Sequence, residues 1–263
     1  MHTLSALPVF SRLPALRSAL TLVGALLLVA GMAQAAPTGL LNDTGQTQCA
    51  DASDALVACD STTTGDAGTR PRQDGRFGRD VAAPVKVGGG AAGFDFTPLD
   101  ASGNAIALTT GATPVPVSTP RCIKDNLTNL IWEVKTTSGL QDTSYTYAWG
   151  SNAGVASCGA SVNPCNTDAY IAALNAANLC GETANDWRLP TMRELQGIVH
   201  NGMTTPPAID VNFFPATQSN WYWTSDTYAP GPSDAWIVHF YEANCLSGDK
   251  SSPYYIRLVR SGQ

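Results

Sequence analysis

Few residues in this chain have the chemistry of a catalytic or metal site. The chain has three histidines, and only His200 and His239 lie beyond residue 35. His239 follows Ser225 and Asp226 closely enough for a Ser–His–Asp hydrolase site, in which a nucleophile, a base and an orienting carboxylate must touch. The alternative for His239 is a sheet residue that faces solvent or a polar neighbour. Neither histidine has ligand spacing from a cysteine and the sequence has no Cys-x-x-Cys, so we expect no metal site and no cofactor.

The first thirty-five residues have the pattern of an export signal. Arg12 and Arg17 precede an uncharged stretch over residues 19–30, and Ala33-Gln34-Ala35 offers the small residues that a signal peptidase accepts. The apolar stretch is short for a bilayer span, and no cysteine follows the cleavage position to carry a lipid. We therefore expect residues 1–35 to be removed. The rest would be secreted or held in the cell envelope without spanning a membrane.

Export makes the seven cysteines candidates for disulfide bonds. Closing the short loop between Cys49 and Cys59 would stabilise it by about 2.5–3 kcal/mol. Cys165 and Cys180 flank a predicted helix of about 18 Å, whereas a disulfide needs Cα atoms about 5–6 Å apart. The odd thiol either links two chains or stays buried. We favour three pairs and one free thiol: Cys49–Cys59, Cys158–Cys165, Cys122–Cys180 and Cys245.

Charge and composition divide the chain. Its formal net charge is −6, and the leader contributes two arginines and no acid, so nucleic acid is a poor partner for the exported part. All tryptophans and tyrosines lie at or beyond Trp132, whereas residues 36–120 are rich in Gly, Thr, Asp, Ala and Pro. We expect residues 36–120 to form a lead segment with a local disulfide and a hairpin of residues 94–99 and 105–108. Residues 121–263 would form the compact domain.

Two helices are predicted in that domain. Thr167 can cap a helix that runs to Leu179, because apolar residues recur there at helical spacing. A second helix follows Pro190, where Thr191 and Glu194 form a T-x-x-E capping box. Glu194 is therefore interpreted as a cap and not as a catalyst, since its carboxylate can accept a hydrogen bond from an unpaired backbone N–H.

Strand patterns fill much of the remaining domain. Their alternating residues are apolar on both faces, so part of the sheet should be covered on both sides. Trp221, Trp223 and Trp236 are expected mainly in the core, since each lies in a strand that must bury a face. The predicted strands are residues 130–135, 221–225, 235–241 and 254–260.

Several motifs occur in one order and carry a family resemblance. The motifs are Asp125-Asn126-Leu127-Thr128-Asn129-Leu130-Ile131-Trp132, Trp187-Arg188-Leu189-Pro190-Thr191 with Glu194, Pro207-Ala208-Ile209-Asp210, Trp221-Tyr222-Trp223-Thr224-Ser225, and Arg257-Leu258-Val259-Arg260. Through them, the chain resembles the Lcl C-terminal domain family over residues 121–263. That family is named for the end domain of a collagen-like bacterial adhesin.

The resemblance implies an α+β, C-type-lectin-like fold, with two helices packed on a twisted, mostly antiparallel sheet. It also implies a distant similarity to formylglycine-generating enzymes, which bind copper through a cysteine pair. Cys245 stands alone near the C-terminal end, so that activity does not carry over. The chain also lacks the Gly-X-Y repeat of the adhesin and the Glu-Pro-Asn or Gln-Pro-Asp calcium motif of many sugar-binding lectins.

In the implied fold, loops between the late strands form the binding face. The loop from Asp226 to Asp234 is rich in Gly, Pro and Ser and contains Tyr228. A tyrosine ring can stack on a sugar, and carboxylates can accept hydrogen bonds from hydroxyl groups. The candidate ligand-binding residues are Tyr228, Asp226, Asp234 and His239.

These observations favour an exported, non-enzymatic recognition module. It would bind a glycan or a protein ligand at the cell envelope or outside the cell, with the lead segment as a spacer. Two alternatives remain: an enzyme on the related scaffold, and a structural subunit of a surface appendage.

Overall fold

The computed structural model describes residues 42–51, 53–59, 73–81, 85–181 and 185–262. The predicted leader and its cleavage position lie outside these residues. Within the described ranges, no helix has the length and apolar character needed to cross a bilayer. The described elements combine short helices with antiparallel sheets, so the α+β class is confirmed.

A four-stranded antiparallel sheet contains, in spatial order, β3 (Phe96–Leu99), β4 (Cys122–Asp125), β5 (Leu130–Glu133) and β9 (Val259–Ser261). Ile123 on β4 lies opposite Trp132 on β5, and Trp132 lies opposite Val259 on β9. Strand β9 begins later than the predicted segment 254–260, because Tyr255 exchanges backbone hydrogen bonds with the other sheet.

The end of the predicted lead segment takes part in this sheet. Strand β3 pairs along its whole length with β4, and Phe94 and Phe96 are buried in the main core. The predicted hairpin is short: Leu99 bridges Ala105, and the Ile106 N–H donates to the Pro98 carbonyl at 2.8 Å. Two phenylalanines therefore anchor this stretch where the composition indicated little core.

A three-stranded antiparallel sheet contains, in spatial order, β6 (Trp221–Thr227), β7 (Asp234–His239) and β8 (Cys245–Asp249). Strand β8 was not predicted, because its Ser and Gly have little strand preference and pairing with β7 sets its conformation. Gly248 is required there, since a Cβ would lie 2.6 Å from a ring carbon of Tyr254.

The described residues of the domain include two α-helices. Helix α2 spans Thr167–Ala176, and its N-cap is Asn166, whose side chain accepts from the Ala169 N–H. The prediction of Thr167 as the cap was therefore wrong by one residue, and the predicted extension to Leu179 was too long. Helix α3 spans Met192–Gln196 and begins with the predicted capping box.

Outside the domain core, the lead segment forms small elements. Strands β1 (Cys49–Ala50) and β2 (Leu56–Val57) pair with each other. A single helical turn, α1, spans Asp74–Phe77. The Cys49–Cys59 disulfide closes the β1–β2 unit.

The core has two parts because β6 is covered on both faces. Tyr222 belongs to one buried cluster, with Phe96 and Trp132, and its neighbour Trp223 belongs to the other, with Tyr170. Trp132, Trp187 and Trp223 are fully buried, whereas three tryptophans are half-buried: Trp149, Trp221 and Trp236. The prediction that the strand tryptophans lie in the core is therefore confirmed for Trp223 and confirmed in part for Trp221 and Trp236.

A buried polar cluster joins the sheets to α2. Glu133 Oε1 accepts from Lys135 Nζ at 2.9 Å and from the Tyr170 hydroxyl, and Glu133 Oε2 accepts from the Leu258 N–H at 2.9 Å. Burial lowers the pKa of Lys135, although the nearby Glu133 carboxylate acts in the opposite direction. Removing one partner of such a pair leaves a buried charge uncompensated. The cluster therefore fixes β5 against α2 and the C-terminal segment.

The three favoured disulfides are present: Cys49–Cys59, Cys122–Cys180 and Cys158–Cys165. Cys180 adopts a left-handed backbone with φ of 56° in a 3₁₀ turn after α2. This turn brings its sulfur to Cys122 on β4. Cys245 is a free, half-buried thiol on β8.

Candidate functional site

The four predicted ligand residues do not converge on one surface. Strand pairing places His239 opposite Trp221 and Ala235 opposite Thr227. Asp234 and His239 thus occupy opposite ends of β7, five residues apart, which is about 17 Å along a strand. Tyr228, Asp226 and Asp234 share one end of the sheet, and His239 lies at the other.

Contacts within the protein occupy the polar groups at the Asp226 end. Asp226 Oδ2 accepts from the Met192 N–H at 2.7 Å and so stabilises the start of α3. The Tyr228 ring packs edge-on against Trp236 at 5.1 Å between ring centroids. Asp234 accepts from the hydroxyl of Ser247 at 3.2 Å. These side chains shape the β6–β7 turn.

The three residues of the hydrolase hypothesis are also separated. The His239 ring stacks on Trp221 at 4.1 Å, and its Nδ1 lies 3.7 Å from Glu242 Oε2. Ser225 lies four residues beyond Trp221 on β6, or about 13 Å along the strand. The described structure therefore does not bring Ser225 or Asp226 to His239.

A groove of about 590 Å³ opens beside the start of α2. This volume falls within the range of about 300–1,000 Å³ that small-ligand sites occupy. Its lining combines an indole ring and aliphatic side chains with hydroxyl, amide, carboxylate and guanidinium groups. The lining residues are Trp149, Gly150, Ser151, Asn152, Thr167, Asp168, Ile171, Arg188, Leu189, Thr191 and Ser225.

The Trp149 ring is held in a fixed orientation. Its Nε1 donates to the Thr224 carbonyl at 2.7 Å. Lys250 Nζ lies 4.2 Å from the ring centroid, and Thr227 Oγ1 and the Pro232 carbonyl hold that ammonium at 3.0 and 2.9 Å. Trp149 lines the groove, whereas Lys250 does not. The half-buried indole is therefore already oriented where a ligand would enter.

The backbone donors at the start of α2 are already used. The Ala169 N–H donates to Asn166 Oδ1 at 2.9 Å, and the Asp168 N–H donates to the Gly150 carbonyl at 3.3 Å. Thr167 Oγ1 accepts from the Gly150 N–H at 2.7 Å, which ties the groove loop to the helix. The Asp168 carboxylate is exposed at the rim.

The Trp187–Thr191 motif forms the opposite wall. Arg188 donates from Nη1 to Glu194 Oε2 at 2.8 Å and from Nη2 to Glu194 Oε1 at 2.7 Å. The Thr191 N–H also donates to Glu194 Oε2, at 2.7 Å. Burial of Glu194 opposes ionisation, but the Arg188 and Thr191 hydrogen bonds prevail and lower its pKa. The same Glu194 hydrogen bond raises the pKa of Arg188, so the two charges compensate each other.

The sequence profile of the family described as the Lcl C-terminal domain matches residues 121–260, which is more than half of the chain. The chain belongs to the Lcl C-terminal domain family. No curated protein and no solved structure matches it.

Every lining residue of the groove lies inside the matched Lcl C-terminal domain. Three of them, Arg188, Leu189 and Thr191, come from the motif that carried the family resemblance. Trp149 had no such signal, because an isolated tryptophan before Gly150 and Ser151 also fits a buried turn. Among the described residues of this domain, no group of three or more His, Cys, Asp or Glu side chains is placed to hold a metal ion.

Proposed function

We propose that this protein is an exported, adhesin-like recognition module that binds an extracellular ligand, either a glycan or a protein. Membership of the Lcl C-terminal domain family supports a surface domain of the adhesin type. Three disulfides suit an oxidising location in the cell envelope or outside the cell. The C-type-lectin-like arrangement implied by the family resemblance belongs to the same proposal.

The fixed Trp149 ring is the observation that carries this proposal. The Thr224 carbonyl and the Lys250 ammonium align this indole where it lines the groove. A ring that is already oriented loses little conformational freedom when a ligand binds. We therefore propose the groove as the ligand site. Tyr228, Asp226 and Asp234 would shape the neighbouring turn.

Binding by the disulfide-intact protein tests this function. We would screen the purified exported chain against immobilised glycans and extracellular matrix proteins, and repeat each positive test with Trp149→Ala. Loss of binding in this variant, with unchanged far-ultraviolet circular dichroism and thermal stability, supports the groove. Tyr241→Ala is the matched control, because Tyr241 is exposed at the opposite end of the β6–β7 pair. Unchanged binding by Trp149→Ala would remove the groove from the proposal.

A further inference from the structure

We infer that the groove binds a neutral saccharide, with one sugar ring stacked on Trp149 and its hydroxyl groups bonded to Asp168 and neighbouring polar side chains. This inference rests on the proposed function and names the ligand class of the same site. It follows from the charges around the groove, the fixed orientation of Trp149, and the mixture of side chains in the lining.

An anionic ligand fits the groove poorly. Arg188 is the cationic side chain in the lining, and both of its terminal nitrogens are bonded to the Glu194 carboxylate. The helix start offers no open donor pair, because the Asp168 and Ala169 N–H groups are already bonded. The exposed Asp168 carboxylate would repel a sulfate, phosphate or uronate group placed beside it.

A cationic ligand is also disfavoured. An indole ring and a carboxylate in one groove would ordinarily attract an ammonium group. Here the Lys250 ammonium already lies 4.2 Å from the Trp149 ring centroid. Lys250 thus already makes a cation–π contact with this ring, and it would repel a second cation brought close to the ring.

A neutral sugar matches what remains. Its ring has an apolar C–H face and a polar edge, and the lining has the same division. Trp149, Ile171 and Leu189 provide apolar surface for the C–H face. The polar side chains that can meet hydroxyl groups are Ser151, Asn152, Asp168 and Ser225, all of them exposed.

The test compares oligosaccharides that have similar length and different charge. The probes are maltotriose, mannotriose and galactotriose as neutral sugars, trigalacturonate as an acid, and the chitosan trimer as a cation. Affinities of the disulfide-intact chain are measured by calorimetry at low and high salt. We expect at least one neutral sugar to bind most tightly, with less than about twofold change between salt concentrations, since no ion pair forms.

Five variants locate the bound sugar. Trp149→Ala should weaken neutral-sugar binding by about tenfold or more, and Asp168→Ala by about 10- to 100-fold, because a carboxylate–hydroxyl bond is charge-assisted. Tyr241→Ala and Glu242→Ala remove an exposed ring and an exposed carboxylate outside the groove, and should leave affinity unchanged. Trp149→Phe retains a ring and provides a second test if the alanine variant misfolds. It should bind with intermediate affinity.

The outcomes separate the inference from the proposed function. Tightest binding of trigalacturonate or the chitosan trimer, still dependent on Trp149, overturns the neutral-sugar inference and supports the groove as a binding site. If the protein binds a protein ligand and no sugar, and Trp149→Ala loses that binding, the neutral-sugar inference is likewise overturned and the groove is supported as a binding site. Neutral-sugar binding that Trp149→Ala and Asp168→Ala leave unchanged overturns both the inference and the groove.

Discussion

Arg188 links the loop before α3 to the helix itself by two hydrogen bonds to Glu194. Because its side chain is 41% exposed, solvent weakens the ion pair. We expect Arg188→Ala to lower the free energy of unfolding by about 1–2 kcal/mol, and to affect ligand affinity less, since Glu194 engages its terminal nitrogens. Urea unfolding measures the change in stability, and a binding assay measures the change in ligand affinity. Both are carried out well below the melting temperature.

Arg193→Ala is the matched control for this prediction. Arg193 is an exposed arginine on the same short helix, and its loss should change stability by less than about 0.5 kcal/mol. Equal stability of Arg188→Ala and the native protein would show that the bidentate pair contributes nothing to folding.

His200 should make the stability of the protein depend on pH. Burial lowers its pKa, although the nearby Asp210 and Asp43 carboxylates act in the opposite direction. The unfolded chain binds a proton as the pH falls through about 6.5, and the folded protein binds it only at lower pH. The free energy of unfolding should therefore decrease from about pH 6.5 down to the folded pKa.

The measurement is urea unfolding at several pH values between about 5 and 7.5 at constant ionic strength. In the native protein, the Gly202 N–H donates to His200 Nδ1 at 3.2 Å. His200→Asn removes the titrating group and retains an acceptor for this N–H. The variant should show a smaller slope of stability against pH over this range. Identical slopes would contradict the assignment.

At the scale of elements, the first turn of α2 has two roles. It contains the cap that stabilises the helix, and its residues line the groove. Asn166 is buried, and its side chain accepts from the Ala169 N–H at 2.9 Å. We expect Asn166→Ala to lower the free energy of unfolding by about 1 kcal/mol, with a range of about 0.5–2, because a helix N–H loses its partner. Thermal unfolding monitored by far-ultraviolet circular dichroism measures the loss.

Asn166→Ser retains a capping oxygen and should recover most of that stability. If both variants were equally unstable, packing of the buried side chain would explain the loss better than capping. Because Asp168 and Thr167 belong to the same helical turn, the alanine variant should also weaken ligand binding in the groove.

For the whole molecule, the length of chain enclosed by each disulfide sets its contribution. Cys122–Cys180 closes a separation of 58 residues and Cys158–Cys165 one of 7. Loop entropy predicts about 4 kcal/mol for the first and about 2.4 kcal/mol for the second. Replacing Cys122 and Cys180 by alanine releases β4 from the end of α2. This change should therefore destabilise the protein more than replacing Cys158 and Cys165 by alanine. Urea unfolding of the two double variants gives the order, and the reverse order would refute the loop-entropy account.

Local sequence determined the features that depend on neighbouring residues. The capping box needs only Thr191 and Glu194, three positions apart, and the structure contains it. Strand β5 and the two longer strands of the second sheet follow from runs of branched and aromatic residues. Helix length disfavoured one pairing, Cys165–Cys180, because a rigid helix separates these two residues. The family motifs likewise lie in order along the chain.

Only the tertiary structure decided which of these residues meet. Strand β8 forms because β7 offers an edge, and not because of its own composition. Trp149 is oriented by the Thr224 carbonyl, 75 residues away in sequence, and Asp226 reaches the start of α3 across 34 residues. Contacts over such distances arise from the packing of two sheets and a helix, and no local pattern encodes them. The groove, which three chain segments and one residue of β6 build together, therefore became visible only in the folded protein.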